Sequence, residues 1–179
     1  MSKSKTKRLV VCALFAAICF VVTRFLSVPA LYTKGYVNLG DLVVLLCAFV
    51  VGGWQGSVAA AIGASLADAS MGYWVYVPAT FIIKAAMVFA SSYVFKKTDG
   101  KNKMVSFCLL ALSCIMAESI MVAGYFLFES VLYKSFAVAC ASLVGNVIQA
   151  VVCIVPTVML ITFMKNNFAF KNFMKSLNK

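Results

Sequence analysis

The sequence predicts an all-α integral membrane protein, a bundle of six transmembrane helices with both termini in the cytoplasm. Hydrophobic residues make up 64% of the 179-residue chain and charged residues only 12%, whereas soluble domains are about 45–50% apolar and about 25% charged. The apolar residues also fall into long runs, and a membrane-spanning helix needs about 20 of them. This composition excludes a soluble enzyme, a nucleic-acid-binding domain and a secreted disulfide scaffold.

The long apolar runs place the six helices within a single membrane domain over 1–179. The stretch after residue 38 is too long for one crossing and is interrupted by glycines at 52, 53 and 56. It therefore predicts two short helices joined by a turn. In order, the sequence predicts a basic leader over 1–8, helices over 9–26, 39–52, 54–70, 76–95, 104–128 and 135–164, and a basic tail over 165–179.

The basic residues set the predicted orientation and account for the net charge of +11. Lysine and arginine accumulate on the cytoplasmic side of membrane proteins. The leader, the segment over 96–103 and the tail each contain four of them, twelve of the sixteen in the chain. With six helices, all three segments fall on the same side. The charge therefore indicates a multi-pass topology in a cell membrane, and no nucleic-acid partner is expected.

The sequence lacks the residue patterns that common metal, nucleotide and catalytic sites require. The seven cysteines lie in apolar runs without a C-x-x-C pair, and the chain has no histidine. The cysteines are therefore predicted to be buried hydrophobic residues rather than metal ligands or disulfides. A phosphate-binding G-x-x-x-x-G-K-[ST] loop is also missing. We expect no metal site, no cofactor and no ATP hydrolysis by this chain.

Three ionisable residues are expected near the outer ends of the second, third and fourth helices. Asp41 begins the second helix, Asp68 ends the third, and Lys84 lies two turns into the fourth. Ionisable groups in lipid are costly and usually face the protein interior, and a lysine stem is long enough to reach towards the membrane surface. We expect Lys84 to form a structural ion pair with Asp41 or Asp68.

Glu118, Asn146 and Gln149 are further polar residues within the predicted helices. Glu118 has no basic residue in its own helix, and Asn146 and Gln149 share a helix face because they are three residues apart. Such groups can join helices through hydrogen bonds or orient a small ligand in an apolar pocket, and both interpretations stay open. The outer loops over 31–36 and 72–78 are rich in aromatic residues, which suits a flat heteroaromatic ligand arriving from outside.

Small residues of the first helix form a surface on which another helix can pack. Ala13 and Ala17 are four residues apart, so they lie on the same face. Such a pattern lets two backbones approach closely. By itself the stripe allows packing within the bundle or against an external partner.

The glycine-containing and polar segments together carry a family resemblance. They lie at 35–41, 63–68, 72–73, 78–84, 121–126 and 145–149, and read GYVNLGD, GASLAD, GY, PATFIIK, MVAGYF and GNVIQ. Over nearly its whole length the chain resembles the substrate-binding S components of energy-coupling factor (ECF) vitamin transporters. It looks most like the subgroup that contains carriers for hydroxymethylpyrimidine and pyridoxine.

The resemblance implies a non-catalytic subunit that binds a vitamin or precursor near the outer face, with the loop between the first two helices closing the pocket. The ligand contacts that it implies are Asn146, Gln149, Tyr125 and Glu118, covered by Tyr36 or Tyr73. It also implies that Ala13 and Ala17 dock on a transmembrane T subunit, and that two ATPase subunits supply the energy. The resemblance assigns no ligand contact to Asp41, Asp68 or Lys84. A compact pyrimidine or pyridine ring is favoured over the larger riboflavin.

Two other functions compete with this interpretation. A solitary proton-coupled carrier would use Glu118 as its proton relay. A small membrane enzyme would use Glu118, Lys84 and the aspartates as an acid–base site, but these groups are predicted at different depths.

Overall fold

The computed structural model describes residues 3–29, 36–98 and 100–177. The described chain is a helical bundle with one short pair of strands at one end. Its elements in chain order are α1 (Lys3–Phe25), β1 (Ser27–Pro29), β2 (Tyr36–Asn38), α2 (Gly40–Val50), α3 (Gly53–Ser70), α4 (Val77–Lys96), α5 (Lys103–Leu132), α6 (Phe136–Asn166) and α7 (Phe168–Leu177).

Several helices begin at residues suited to a helix start. Asn102 precedes α5, and its side chain accepts a hydrogen bond from the backbone N–H of Val105 at 2.8 Å. Ser135 caps α6 in the same way, and Pro78 lies in the first turn of α4, where its missing N–H costs nothing. Local sequence therefore sets where these helices begin.

The turn between α2 and α3 requires glycine. Gly52 and Gly53 have φ angles of 58° and 56°, a region that residues with a Cβ rarely adopt. A Cβ at Gly52 would also approach the Ala48 carbonyl oxygen to 2.9 Å. The two short helices of the sequence analysis are thus observed, with the turn at the predicted glycines.

Small residues bring α3 close to α1. The Cα of Gly63 faces the backbone of Ala16 and the side chain of Cys19, where an added Cβ would collide with both. Ala60 and Ala64 on the same helix are buried, and the Cys19 thiol lies 3.6 Å from the Ala60 carbonyl oxygen. Close backbone approach, rather than interlocking large side chains, joins these two helices.

Within the described residues, four helices are long and apolar enough to cross a membrane, namely α1, α4, α5 and α6. Helix α2 is apolar but has only 11 residues, about 16 Å at 1.5 Å per residue. It packs against α1, α3, α4 and α6 and is largely buried. The count of six spans and the cytoplasmic position of the termini stay predictions.

The helices alternate in direction and give the bundle two ends. At the end that we call the basic end, α1 begins, α2 and α4 finish, and the Arg8 guanidinium donates to the Val51 carbonyl oxygen at 2.8 Å. At the opposite end, which we call the pocket end, β1 pairs antiparallel with β2. The pairing holds α1 beside the start of α2.

Two features of the fold differ from the sequence-based expectation. The short strands β1 and β2 lie in what we predicted as a loop, because three residues are too few to show the alternation of a strand. Helix α7 lies within the predicted basic tail. Its apolar residues Phe170, Met174 and Leu177 are spaced for one helix face. The lysines among them led us to predict a basic tail instead of a helix.

Candidate pocket at the end of the bundle

A pocket with about 600 Å³ of empty space, including its open mouth, lies at the pocket end. Strand β2 and helices α1, α3, α4, α5 and α6 contribute to its wall. Its polar and aromatic lining residues are Thr23, Tyr36, Asn38, Asp68, Tyr73, Tyr76, Thr80, Lys84, Tyr125, Glu129, Ser142, Asn146 and Gln149.

Tyrosine rings form a continuous wall of this pocket. The ring centroids of Tyr36 and Tyr73 are 5.2 Å apart, and the ring of Tyr76 meets that of Tyr73 edge-on at 6.2 Å. Tyr125, on α5, also lines the pocket. Such rings bury large apolar area while their hydroxyl groups still make hydrogen bonds.

Asp68 ties the strand pair to the end of α3. Its Oδ1 accepts a hydrogen bond from the Tyr36 hydroxyl, and burial together with the neighbouring carboxylate raises the pKa of the Tyr36 phenol. Tyr36 therefore stays protonated and donates. Thr80, whose hydroxyl lies 2.9 Å from the Tyr125 hydroxyl oxygen, is close enough to stabilise the Asp68 charge.

The other oxygen of Asp68 accepts no hydrogen bond from the described residues, although Thr80 lies nearby. Oδ2 is buried and has no hydrogen-bond partner among the described residues, although the residue lines the pocket. A buried acceptor without a partner costs about 1–3 kcal/mol. A ligand that donates an N–H or O–H into the pocket would remove this cost.

A chain of buried polar groups forms the floor of the pocket. The Lys84 ammonium pairs with Asp41 Oδ1, and Gln149 Nε2 donates to Asp41 Oδ2. Gln149 Oε1 in turn accepts from the Asn38 backbone N–H at 2.8 Å. We call these four residues the floor network. It joins α2, α4, α6 and β2, and it pairs Lys84 with one of the two aspartates that the sequence allows.

A second polar group lies where α5 and α6 meet at the pocket end. Glu129 accepts hydrogen bonds from the Tyr76 hydroxyl at 3.1 Å and from the Ser142 hydroxyl. Tyr76 is also 3.0 Å from the hydroxyl oxygen of Tyr133. Sequence analysis did not include Glu129 or Tyr76 in the site. The available signal was an ionisable residue in an otherwise apolar helix, which usually faces the protein interior.

The structure brings five of the six proposed ligand residues to the pocket and leaves one outside it. The five are Tyr36, Tyr73, Tyr125, Asn146 and Gln149. Glu118 is 1% exposed and borders a separate, mostly apolar groove between α5 and α6. Asp68 and Lys84, which we expected to be structural, do line the pocket, whereas Asp41 lies beneath it.

The alanine stripe of α1 faces away from the bundle. Ala13 and Ala17 are exposed, whereas the neighbouring Ala16 is only partly exposed and packs against Gly63 of α3. The stripe is therefore open to a partner or to lipid. Among the residues that the structure describes, no group of three or more cysteine, aspartate and glutamate side chains is arranged to hold a metal ion.

Comparison with known proteins identifies the family. A family model described as "ECF-type riboflavin transporter, S component" matches residues 3–166. The chain belongs to this family. It is also similar to a protein of Pyrococcus woesei described as an uncharacterized protein in a gap 3' region, with 28% identity over 131 residues that cover 73% of this chain and 83% of that protein.

Membership in the S component family confirms the broad resemblance found in the sequence. It makes the chain a multi-pass membrane protein of a transporter family rather than of an enzyme family. S components of ECF transporters bind small vitamin substrates and associate with T and ATPase subunits. The pocket end of the bundle is accordingly the candidate substrate site of this S component.

Proposed function

We propose that this S component captures a vitamin with a flat heteroaromatic ring and delivers it to an ECF importer in a bacterial plasma membrane. One observation carries the proposal, namely a tyrosine-walled pocket that contains the unpartnered Oδ2 of Asp68. The rings suit stacking or edge contacts with a planar ligand. The free oxygen selects a ligand with a hydrogen-bond donor, because only a donor offsets its burial.

Riboflavin is the first candidate ligand. The matching family model is named for riboflavin, and the isoalloxazine ring system offers a broad planar surface with an imide N–H on its edge. The Lys84 ammonium also lines the pocket. It uses Asp41 as one acceptor, and an ammonium has three donors. Carbonyl oxygens beside the imide N–H would accept from it.

Hydroxymethylpyrimidine and pyridoxine are the second candidates. The case for a compact ring depended on Asn146, Gln149 and Glu118 as its polar contacts. The Gln149 side chain is already hydrogen-bonded to Asp41 and Asn38, and Glu118 lies outside the pocket. Asn146 is then the remaining contact of the three, which favours a ligand that is held mainly by ring contacts.

Calorimetric titration of the purified protein with riboflavin, pyridoxine and hydroxymethylpyrimidine tests the function and the ligand together. We expect riboflavin to bind most tightly. Tighter binding of pyridoxine or hydroxymethylpyrimidine would reverse the order of the candidates. If none of the three binds, the proposed vitamin capture is wrong.

The variant Asp68→Asn tests the acceptor within the same experiment. Asn keeps an Oδ1 oxygen for Tyr36 but places an NH₂ donor where Oδ2 was. We expect ligand affinity to fall by roughly 5- to 150-fold, which corresponds to about 1–3 kcal/mol. The exposed residue Ser70, two positions further along α3, provides the control variant Ser70→Ala, which should bind as the unmodified protein does.

We also propose that the stripe of Ala13 and Ala17 docks on the T subunit, and that two ATPase subunits energise the complex. The exposure of both alanines supports this role. Replacing both by leucine should spare ligand binding and abolish co-purification with the T and ATPase subunits. Ile18→Phe, on an exposed part of α1 outside the stripe, should leave the complex intact. Ligand uptake into liposomes without ATPases would instead favour a solitary carrier.

A further inference from the structure

Helix α7 follows directly on a helix that is long and apolar enough to cross a membrane. Helix α6, with 31 residues, is one of the four candidate spans and ends at Asn166. Only Asn167 separates it from α7. The Asn167 side chain accepts hydrogen bonds from the backbone N–H groups of Ala169 at 2.9 Å and Phe170 at 3.2 Å. This capped turn starts a new helix directly after the candidate span.

One face of α7 is used to hold it on the bundle. Phe170 and Met174 pack against the core, and Leu177 is buried. The Phe170 ring stacks on Phe49 at the end of α2, with centroids 6.0 Å apart and planes 16° apart. Helix α7 also packs against α1 and α6. Apolar contacts therefore join one face of α7 to the basic end.

The opposite part of α7 combines basic and aromatic residues. Phe168, Lys171 and Lys175 are three and four residues apart, so they lie along one face, and all three are exposed. Phe168 is 78% exposed. The sequence of α7, FAFKNFMKSL, has no acidic residue. Lysines beside exposed phenylalanines are typical of helices that lie in the headgroup region of a bilayer.

Among the described residues, the charges near α7 are of one sign. Lys5, Lys7, Lys96, Lys97, Lys101 and Lys103 are exposed around the same end. The acidic residues that the structure describes are all buried, and they lie in the middle or at the pocket end of α2, α3 and α5. They are Asp41, Asp68, Glu118 and Glu129. Asp99, between α4 and α5, lies outside the described residues. The basic end thus presents a surface complementary to anionic headgroups.

We propose that α7 is a lipid-surface helix, in which Lys171 and Lys175 bind the phosphate groups of anionic phospholipids while Phe168 enters the headgroup layer. The occupant is lipid because α7 starts within two residues of a spanning helix and cannot avoid the bilayer surface. The bound lipid holds α7 against α1, the helix that carries the alanine stripe. This role does not depend on which vitamin the pocket binds.

Hydrogen exchange in nanodiscs tests the proposal on the full-length protein. One preparation contains phosphatidylcholine alone, and the other contains equal parts of phosphatidylcholine and phosphatidylglycerol. Each lysine near an anionic surface contributes roughly a fivefold factor, so the amides of 168–177 should exchange about 25-fold more slowly with the anionic lipid. The difference should shrink in about 1 M salt, where screening acts within about 3 Å.

The double variant Lys171→Gln/Lys175→Gln should remove this lipid-dependent protection. The matched control is Lys101→Gln/Lys103→Gln, which removes the same charge from the same end outside α7 and should keep the protection. Unchanged exchange in α6 shows that each variant is folded. Equal exchange in the two lipids, or equal effects of the two variants, overturns the proposal. Protection that requires added T and ATPase subunits instead of anionic lipid also overturns it, in favour of a protein partner.

Discussion

Asp41 and Glu118 are both buried acidic residues of the same bundle, yet their surroundings have little in common. Asp41 is 0% exposed and receives hydrogen bonds from Lys84 and Gln149, one on each oxygen. Glu118 is 1% exposed, and neither of its oxygens has a hydrogen-bond partner among the described residues. Asp41 belongs to the floor network, whereas Glu118 borders the apolar groove between α5 and α6.

The difference shows what a buried carboxylate does when its neighbours differ. Asp41 joins α2, α4 and α6 and supports a strand that lines the pocket, so its charge has a structural use. Asp41 and Lys84 act on Glu118 only through space, because neither forms a hydrogen bond with it. Burial alone therefore does not identify a functional carboxylate. The partners that other helices supply decide its role.

The largest expected effect comes from breaking the floor network at its centre. Asp41→Asn leaves the Lys84 ammonium buried without its counter-charge, and removing one partner of a buried ion pair costs about 3–5 kcal/mol. We expect a loss of this size in the free energy of unfolding, measured in mixed micelles. The double variant Asp41→Asn/Lys84→Met should recover part of it, because the unpaired charge is gone. Equal stability of the single and double variants would contradict the pairing.

Sequence analysis identified polar residues of the floor network but not the hydrogen bonds between them. Spacing placed Asn146 and Gln149 on one helix face, and hydropathy placed Asp41 and Lys84 inside the membrane. That Gln149 bonds Asp41 and Asn38, 108 and 111 residues away, depends on how α2 and α6 pack, which no local pattern encodes. For the same reason, sequence analysis assigned Glu118 and Gln149 to one ligand site, whereas only Gln149 lines the pocket. Periodicity gives the face of a helix, but it does not say which neighbour that face meets.

The fold was predicted best where apolar runs are long and punctuated by glycine or proline. The glycine turn at 52–53 and the start of α4 at Pro78 are examples, since backbone freedom and a missing N–H act locally. Helix α7 and the strand pair were missed because short elements carry weak periodic signals. The predicted gating by the loop after α1 concerns residues 30–35, which lie outside the described residues.

The second expected effect concerns the link between the floor network and strand β2. Gln149→Ala removes the acceptor of the Asn38 backbone N–H and a donor to Asp41, and leaving such groups unpaired costs about 1–3 kcal/mol. Water from the pocket can replace part of the loss, so the effect on unfolding is smaller than that of Asp41→Asn. Hydrogen exchange should also speed up in residues 36–38. Unchanged exchange there would show that Gln149 does not hold the strand.

A third test separates binding from stability within α6. Asn146 lines the pocket, and its side chain has no hydrogen bond to the rest of the described chain. Asn146→Ala should therefore leave the free energy of unfolding unchanged while ligand affinity falls roughly 5- to 150-fold, equivalent to about 1–3 kcal/mol. Val144→Ala, at an exposed position of the same helix, is the control. Calorimetry that gives the same affinity for both variants would remove Asn146 from the site.

The smallest effect on stability is expected for Glu118→Gln. Like Asp41→Asn, this substitution replaces a buried carboxyl group by an amide. Glu118→Gln breaks no hydrogen bond of the described structure and removes a group that is costly to bury as a charge. The free energy of unfolding should change by less than about 0.5 kcal/mol or rise, and ligand affinity should stay within twofold. A marked loss of stability would mean that Glu118 is a second acceptor for Lys84. A loss of transport with binding intact would mean that it carries a proton, as a solitary carrier requires. Two carboxylates with equal burial would then share a functional role, and the contrast between the floor network and the groove would fail.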